Sequence, residues 1–219
     1  KLLVSLLSAL LCISVVAEPE TQSDGNQNMN NITIDENGNV FISPLLYHIS
    51  SDNTAEVIRY YSYKKLKSVV IPSEIQTAEG VFPVTSIGEG AFRGCSGLTN
   101  IEFPKSLTSI GDGAFSGCIG LMNVILPLSV TSIGEGAFSG CSGLTNIEFP
   151  KSLTSIGASA FSGCVGLTFI KIPSGVTNIE PRTFAGSGLK SIEIPSGVTN
   201  IGELAFIGCG GLRNIKIQT

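Results

Sequence analysis

The chain has 219 residues, a formal net charge of −4, and 42% hydrophobic against 14% charged residues. The acidic balance argues against a nucleic-acid-binding protein, which normally presents a basic face. Gly is abundant at 26 residues, Trp is absent and there is one His, His48. This composition predicts many tight turns around an apolar core rather than disorder.

The first seventeen residues predict an export signal. Lys1 precedes an apolar run that extends from Leu2 to Val16, and Ala17 supplies the small residue that signal peptidase requires. The run is shorter than the roughly 20 residues of a transmembrane helix. We therefore predict a signal peptide over 1–17, a secreted or cell-surface location and no membrane insertion. A lipoprotein signal acylated at Cys12 is the alternative, although a small residue should then stand where Leu11 does.

The next segment, 18–31, is rich in Glu, Gln, Ser and Asn and predicts a flexible linker. Residues 32–83 predict an N-terminal β cap and a first coil with an insertion. Within them, Val40–Ile49 and Ala55–Arg59 have strand composition and flank a turn-forming Ser-Asp-Asn triplet. Val69–Pro72 matches the strand of a coil, and the insertion over 73–83 predicts a hairpin around Glu79-Gly80.

Phenylalanine recurs at a nearly constant interval and defines an internal repeat. The interval is 23 residues four times and then 22, with the members Phe92, Phe115, Phe138, Phe161, Phe184 and Phe206. A Cys follows three residues after each Phe, except in the fifth unit, where Ser187 takes its place. A period of this length in six copies predicts a solenoid, in which stacked coils bury one continuous core.

One unit shows how a coil is built. Leu98, Ile101 and Phe103 are predicted to face inward from a short strand, while Asn100 and Glu102 face solvent. Pro ends the strand, and Gly residues allow the turns that close the coil. The fold class is therefore a β-rich solenoid of stacked 23-residue coils that form a parallel sheet.

The repeating pattern L-x-x-I-x-[FI]-P-x-x-[LV]-T-x-I-G-x-x-A-F-x-G-C resembles the BspA-like leucine-rich repeat of surface proteins. The resemblance covers residues 69–217, with the repeats proper over 84–219. It implies a leucine-rich-repeat solenoid with a concave sheet, acting as an extracellular protein-binding or adhesion module. It also implies an extracellular protein partner, such as a host matrix protein or another cell's surface protein, and it supplies no catalytic residues.

The cysteine ladder is open to three interpretations: buried free thiols, disulfides between coils, or a metal site. Equivalent side chains on stacked coils point the same way, which favours free thiols, and a ladder lacks tetrahedral ligand spacing. The Gly-Glu-Gly and Gly-Asp-Gly segments lack the Lys and the following helix of a phosphate loop and are predicted to be turns. No cofactor and no enzyme activity are predicted.

The outward positions of the strands are the candidate binding surface. The candidate residues are Asn100, Glu102, Met122, Ile125, Glu148, Phe169, Lys171 and Glu193. Exposed Met122, Ile125 and Phe169 among polar neighbours are typical of a recognition surface, although scattered exposed apolar residues are also ordinary. A glycan-binding surface protein and a structural spacer for a further domain are the alternative functions.

Two further features distinguish individual coils. Residues 84–111 and 130–157 are the same string except for Arg93 against Ser139, which indicates that coils were copied as a block. Near-identical surfaces at two heights favour repeated, individually weak contacts. In the fifth unit, Glu180-Pro181 replaces a Gly-containing pair and one residue is deleted, so the solenoid is predicted to bend or to make a specific contact there.

Overall fold

The computed structural model describes residues 32–34, 39–42, 44–60 and 66–218. They belong to one compact unit, 31–219, and form eighteen β-strands without a helix. In this part of the chain there is accordingly no helix able to cross a membrane. The predicted signal peptide over 1–17 and linker over 18–31 lie outside the described residues.

The repeats stack as parallel coils, as predicted, and build two strand ladders. One, called the front ladder here, takes the Leu-x-x-Ile strand of each coil: β5 Ser68–Val70, β8 Asn100–Glu102, β10 Asn123–Ile125, β12 Asn146–Glu148, β14 Phe169–Lys171, β16 Ser191–Ile194 and β18 Asn214–Ile217. Neighbouring strands pair with an offset of one repeat, so Asn123 pairs with Asn146 and Val124 pairs with Ile147. This offset places equivalent residues of successive coils directly above one another.

The second, or rear, ladder uses a shorter strand on the other side of each coil. Its members are β9 Ser109–Ile110, β11 Ser132–Ile133, β13 Ser155–Ile156, β15 Asn178–Ile179 and β17 Asn200–Ile201. Side-chain hydroxyls reinforce this side, since Thr131 Oγ1 donates to the Thr108 carbonyl at 3.2 Å and Ser129 Oγ donates to the Lys105 carbonyl at 2.7 Å. Each coil is thereby tied to its neighbour by side chains as well as backbone.

The N-terminal cap extends the rear ladder. It comprises β1 Ile32–Ile34, β2 Val40–Ile42, β3 Leu45–Ile49, β4 Ala55–Tyr60, β6 Glu74–Thr77 and β7 Gly80–Ile87. Strand β4 pairs in parallel with β7, which pairs with β9, so the cap covers the first edge of this ladder. The predicted hairpin at Glu79-Gly80 is confirmed, because β6 and β7 pair antiparallel across it.

One cap prediction is wrong. The single strand predicted over Val40–Ile49 is two strands, β2 and β3, which pair antiparallel with Ile42 facing Leu45. Pro44 lies in the turn between them. Since proline has no amide hydrogen to donate to a ladder, a turn accommodates it better than the middle of a paired strand.

A column of phenylalanine rings runs through the core. Phe92, Phe115, Phe138, Phe161 and Phe184 are fully buried. Successive ring centroids are 5.2, 5.3, 5.5, 5.8 and 5.7 Å apart up to Phe206, with nearly parallel planes. The near-constant interval in the sequence therefore becomes a continuous stack, in which each inner ring packs against the ring above and the ring below.

The cysteines form a second buried column beside the rings. Cys95, Cys118, Cys141 and Cys164 are buried as predicted, whereas Cys209 is only partly buried. Four of the thiols, those of Cys118, Cys141, Cys164 and Cys209, donate to the carbonyl oxygen of the Phe in the preceding coil, for example Cys141 Sγ to Phe115 O at 3.1 Å. Burial raises the pKa of Cys95 to about 11 and that of Cys164 to about 12, so these thiols are uncharged at neutral pH.

The turns of each coil depend on two left-handed residues, of which the second is always Gly, from Gly94 to Gly208, and the first varies. Gly90, Gly113 and Gly136 occupy the first position with φ of 59°, 58° and 58°, but Ser159 and Arg182 occupy it with φ of 56° and 57°. The left-handed region favours glycine and strains other residues. The Gly-Glu-Gly and Gly-Asp-Gly segments lie at the start of turns, and in the described residues no helix follows them. The prediction that they are turns and not phosphate loops is therefore confirmed.

The last coil leaves much of its apolar surface exposed. Ile215 and Ile217 of β18 are 55% and 66% exposed, in contrast to the 1% of the equivalent Ile192 in the preceding coil. The difference arises because each coil buries its strand residues against the coils on both sides, and no described coil stacks beyond β18.

Candidate binding surface

Seven of the eight predicted site residues lie on strands of the front ladder, and the eighth, Met122, directly precedes β10. In each of the three-residue strands β8, β10, β12 and β14 the middle residue is buried and the two flanking residues are exposed. Glu102, Ile125, Glu148, Lys171 and Glu193 therefore stack in one outward column. The alternation expected of a half-buried strand thus places this column toward solvent in every coil.

The three apolar members of the predicted site are strongly exposed but do not form one patch. Met122, Ile125 and Phe169 are 56%, 76% and 49% exposed. Ile125 is the direct partner of Glu148 in the next coil, and Phe169 belongs to the coil after that. At about 4.8 Å per strand, a whole polar coil separates Phe169 from Met122 and Ile125.

Glu193 differs from the other acidic residues of this face because it is engaged in ion pairs. Lys171 Nζ lies 3.3 Å from one carboxylate oxygen and Lys216 Nζ lies 3.5 Å from the other. The hydrogen bond from Lys171, followed by the charges of both lysines, lowers the pKa of the Glu193 carboxyl. This carboxylate links three successive coils and is thus less available to a partner than Glu102 or Glu148.

Several exposed apolar residues of this surface are missing from the predicted site, among them Val70 of β5, which pairs with Glu102 and is 62% exposed. Ile119 and Leu128, 52% and 84% exposed, lie in the same coil as Met122 and Ile125. They lie at the two ends of the coil's front segment, outside the strand β10, and an assignment based on strand columns therefore omits them. The sequence could have indicated that both residues are exposed, because both neighbouring coils have Ser at the position of Ile119 and Lys at the position of Leu128.

A groove lies along the glycine-rich turns. It is an open groove of about 350 Å³ lined by Glu89, Arg93, Asp112, Glu135 and by Gly and Ser residues of the same turns. Asp112 Oδ1 accepts a hydrogen bond from the Glu135 amide at 2.7 Å, so this carboxylate also serves to join two coils. The residues described here contain no cluster of His, Cys, Asp or Glu suited to a metal ion.

His48 lies on the cap and not near the front ladder. Its Nδ1 atom is 3.1 Å from the Asn39 side-chain oxygen, at an exposed position on β3. A hydrogen bond between two surface residues of a hairpin accounts for this imidazole without a catalytic role.

Stacked short coils, two parallel ladders and an interior of Leu, Ile and Phe define the chain as a leucine-rich-repeat solenoid. A model of the BspA type leucine-rich repeat region matches residues 59–188 and 166–219 in six copies. The chain belongs to this family, as the repeat pattern had predicted. Among curated proteins none matches the chain.

Solved structures of bacterial leucine-rich-repeat proteins share the fold. A leucine-rich cell surface protein of Faecalibacterium prausnitzii A2-165 is 30% identical, with a TM-score of 0.70 over 83% of this chain and 55% of that protein. A leucine-rich-repeat protein of Bacteroides ovatus is 30% identical, with a TM-score of 0.65 over 81% of this chain and 53% of that protein. The leucine-rich-repeat protein of T. pallidum is 26% identical, with a TM-score of 0.64 over 78% of this chain and 88% of that protein.

The chain thus spans about half the length of the first and second of these proteins. Leucine-rich-repeat proteins generally serve as protein-binding scaffolds, and the Faecalibacterium protein is a leucine-rich cell surface protein.

Proposed function

We propose that this chain is an extracellular, cell-surface module that binds proteins in adhesion and carries out no catalysis. Its recognition surface is the front ladder, which corresponds to the concave sheet predicted from the sequence. The observation that carries the proposal is the exposure of Met122, Ile125 and Phe169 among exposed Asn, Glu and Lys residues. Exposed apolar and aromatic side chains beside polar ones are typical of protein–protein interfaces.

Protein partners suit this surface better than glycans do. Sugar rings are commonly bound by stacking on aromatic side chains, but the chain has no Trp and its four Tyr all fall within residues 47–63. Of the aromatic residues on the front ladder, Phe169 alone presents an exposed ring. A protein surface, in contrast, can bury Met122, Ile125 and Phe169 together with the polar coil between them.

Substituting these three residues tests the proposal. Burial of exposed apolar surface contributes about 25 cal/mol per Å², whereas exposed charges contribute little and are screened by salt. We expect Met122→Ser, Ile125→Ser and Phe169→Ser together to weaken binding to immobilised extracellular-matrix proteins at least tenfold by biolayer interferometry. The melting temperature should not change, because none of the three side chains is buried in the core.

The matched control lies on the rear side. Thr108→Ser and Thr131→Ser keep the hydroxyls that bond to the carbonyls of Thr85 and Thr108 and should leave binding unchanged. If the front-face variant binds as tightly as the wild type while the rear-side variant does not bind, recognition does not take place on the front ladder.

A further inference from the structure

Three successive coils of the front ladder, those of β14, β16 and β18, carry a group of cationic side chains. The group is called the basic patch here and consists of Lys171, Lys190, Arg213 and Lys216, all of which are exposed. It contains one carboxylate, that of Glu193. The chain as a whole is acidic, with a formal net charge of −4, so this part of the surface has the opposite sign.

Backbone pairing arranges the basic patch in two columns. Lys171, Glu193 and Lys216 are direct partners in the registers of β14 with β16 and of β16 with β18, and they continue the outward column. The second column lies directly before β16 and β18 and holds Lys190 and Arg213, whose backbones are joined by a hydrogen bond from the Arg213 amide to the Lys190 carbonyl at 3.0 Å. At about 4.8 Å per strand, the two residues of the second column are close neighbours.

The two columns differ in how their charges are balanced. Both lysines of the outward column pair with the Glu193 carboxylate, at 3.3 and 3.5 Å. Lys190 and Arg213 take part in no ion pair within the described part of the chain, and Arg213 Nη1 donates only to two carbonyls of its own coil, at 3.0 and 3.2 Å. The second column therefore carries two adjacent positive charges without a carboxylate.

The stack does not need these two charges. The equivalent residues of the four preceding coils are Thr99, Met122, Thr145 and Thr168. The Thr99 and Thr145 hydroxyls each donate to a carbonyl of the coil before, at 2.8 and 3.1 Å, and so stabilise the stack. Lys190 and Arg213 replace such hydroxyls by like charges on neighbouring strands, which destabilise a sheet when they lie opposite one another.

An exposed aromatic ring borders the basic patch. Phe169 and Lys171 flank the buried Ile170 on β14, so both face solvent from the same side of the strand. Phe169 also pairs with Ser191, the residue after Lys190. Because its ring is 49% exposed, a ligand that covers the patch meets apolar surface as well as positive charge.

A short acidic protein segment fits these features better than a long polyanion does. Carboxylates neutralise Lys190 and Arg213, and an Arg side chain binds a carboxylate with two parallel hydrogen bonds. An apolar residue beside those carboxylates covers the ring of Phe169. A polyanionic chain that follows the stack would pass from the patch over the exposed Glu148, which precedes Lys171 in the outward column, and would be repelled there.

We propose that the basic patch and Phe169 form a docking site for an acidic segment of a protein partner, in which Asp or Glu residues lie beside an apolar residue. The inference rests on the proposed function, because it names the chemistry of a partner of the same face. Glu193 then competes with the carboxylates of the partner for Lys171 and Lys216 and limits the affinity. The charges contribute mainly to the rate and orientation of binding.

Fluorescence anisotropy with two synthetic peptides is the first test. The probe is a fluorescein-labelled peptide with two central Leu residues and Glu residues on both sides, and the control peptide has Gln in place of every Glu. We expect the wild-type chain to bind the Glu peptide about tenfold more tightly than the Gln peptide at low ionic strength. Added salt should reduce this difference, because exposed charges are screened.

A pair of double variants locates the binding on the surface. Lys190→Thr with Arg213→Thr gives the second column the residue of three earlier coils, so the melting temperature should be retained and the Glu peptide should bind about tenfold more weakly. Lys105→Ser with Lys151→Ser is the matched control, because it also removes two exposed positive charges from the front side, outside the patch. This control should bind the Glu peptide as the wild type does.

Two single variants test the other parts of the site. Glu193→Gln should bind the Glu peptide about threefold more tightly, because it releases Lys171 and Lys216 from their ion pairs, whereas a purely structural role of Glu193 predicts no gain. Phe169→Ser should weaken binding of the Glu peptide but not of a version with Ser in place of both Leu.

Four results would overturn the inference. They are equal affinity of the wild type for the Glu and Gln peptides, equal losses in the Thr variant and the Ser control, a Glu193→Gln variant without a gain, and a Phe169→Ser variant that binds the Leu-containing peptide unchanged. Labelled heparin, an anionic polysaccharide, is measured in the same way. If the wild type binds heparin through Lys190 and Arg213 but does not bind the Glu peptide, the patch is a glycan site and the inference is wrong.

The proposed function fails by a different measurement. If the Met122, Ile125 and Phe169 variant loses binding to matrix proteins but the wild type does not bind the Glu peptide, the docking site is wrong and the adhesion proposal stands. If the peptide binds to the patch as expected but that variant binds matrix proteins unchanged, the docking site stands and the adhesion proposal is wrong.

Discussion

The phenylalanine stack makes a quantitative prediction about stability. Phe138 is fully buried, with the rings of Phe115 and Phe161 at 5.3 and 5.5 Å on its two faces. Truncation of a buried Phe to Ala typically lowers the free energy of unfolding by about 3–5 kcal/mol, and each aromatic pair adds about 0.5–1.5 kcal/mol beyond the buried area. Since Phe138→Ala loses two such pairs, we expect a loss at the upper end, about 5 kcal/mol.

The end of the same stack supplies a matched comparison. Phe206 is only partly buried and has a ring neighbour on one side, Phe184 at 5.7 Å. We expect Phe206→Ala to lower the free energy of unfolding by about 1–2 kcal/mol, because both the lost area and the lost pairing are smaller. Glu148→Ala, at an exposed position, should change it by less than about 0.5 kcal/mol.

Equilibrium urea denaturation followed by far-ultraviolet circular dichroism measures all three variants. Comparable m-values are required, because repeat arrays can lose cooperativity and unfold in parts. If Phe206→Ala is as destabilising as Phe138→Ala, position within the stack does not matter and the pairwise account is wrong. If Glu148→Ala matches Phe138→Ala, the inner and outer faces are reversed.

Two further predictions concern the thiols and the turns. In a Cys12→Ser variant, Cys209 should react with Ellman's reagent while the chain is folded. The other four thiols, of Cys95, Cys118, Cys141 and Cys164, should react only in denaturant, because burial excludes the reagent and raises their pKa. If denaturation without reductant releases fewer than four additional thiols, some of them are bridged. Arg182→Gly should raise the free energy of unfolding by about 1 kcal/mol, because it relieves a left-handed φ. Gly136→Ala should lower the free energy of unfolding by a similar amount through φ alone, since the nearest neighbouring atom is 3.8 Å from the added Cβ. Urea melts in which neither variant changes stability would contradict this.

The solenoid could be predicted in detail because its sequence repeats itself. Each position is observed six times, so the environment of Phe138 or Ile133 is inferred from a whole column rather than from one residue. The cap has no such redundancy. Within Val40–Ile49 the strand composition extends across Pro44, and only the register of β2 against β3 shows that the chain reverses there.

The candidate surface was predictable where it follows strand alternation and not where it leaves the strand. Asn100, Ile125 and Phe169 are exposed as the pattern indicates, and Met122, one residue before β10, is exposed as well. Ile119 and Leu128 lie beyond the strand, where period-two alternation gives no direction for a side chain. Cys209 is more exposed than its column predicts, because a column reports an average coil, and the last described coil has a neighbour on one side only.

Differences between coils separate the requirements of folding from those of binding. The coil that carries Met122 and Ile125 also differs from its neighbours inside, where Val124 replaces Ile and Leu126 replaces Phe. These changes stay apolar and buried, at 1% and 5% exposure, so this coil keeps an apolar core.

Outside, the same coil is apolar at four exposed positions where both neighbours are polar, Ile119, Met122, Ile125 and Leu128, against the direction that solubility favours, while the exposed Asn123 is unchanged. A uniform folding requirement acts on every coil alike and cannot produce a difference confined to one of them. The two flanking coils, identical to each other on this face, show the surface that folding alone permits. We therefore expect the partner of the proposed binding surface to contact the residues in which the middle coil departs from them.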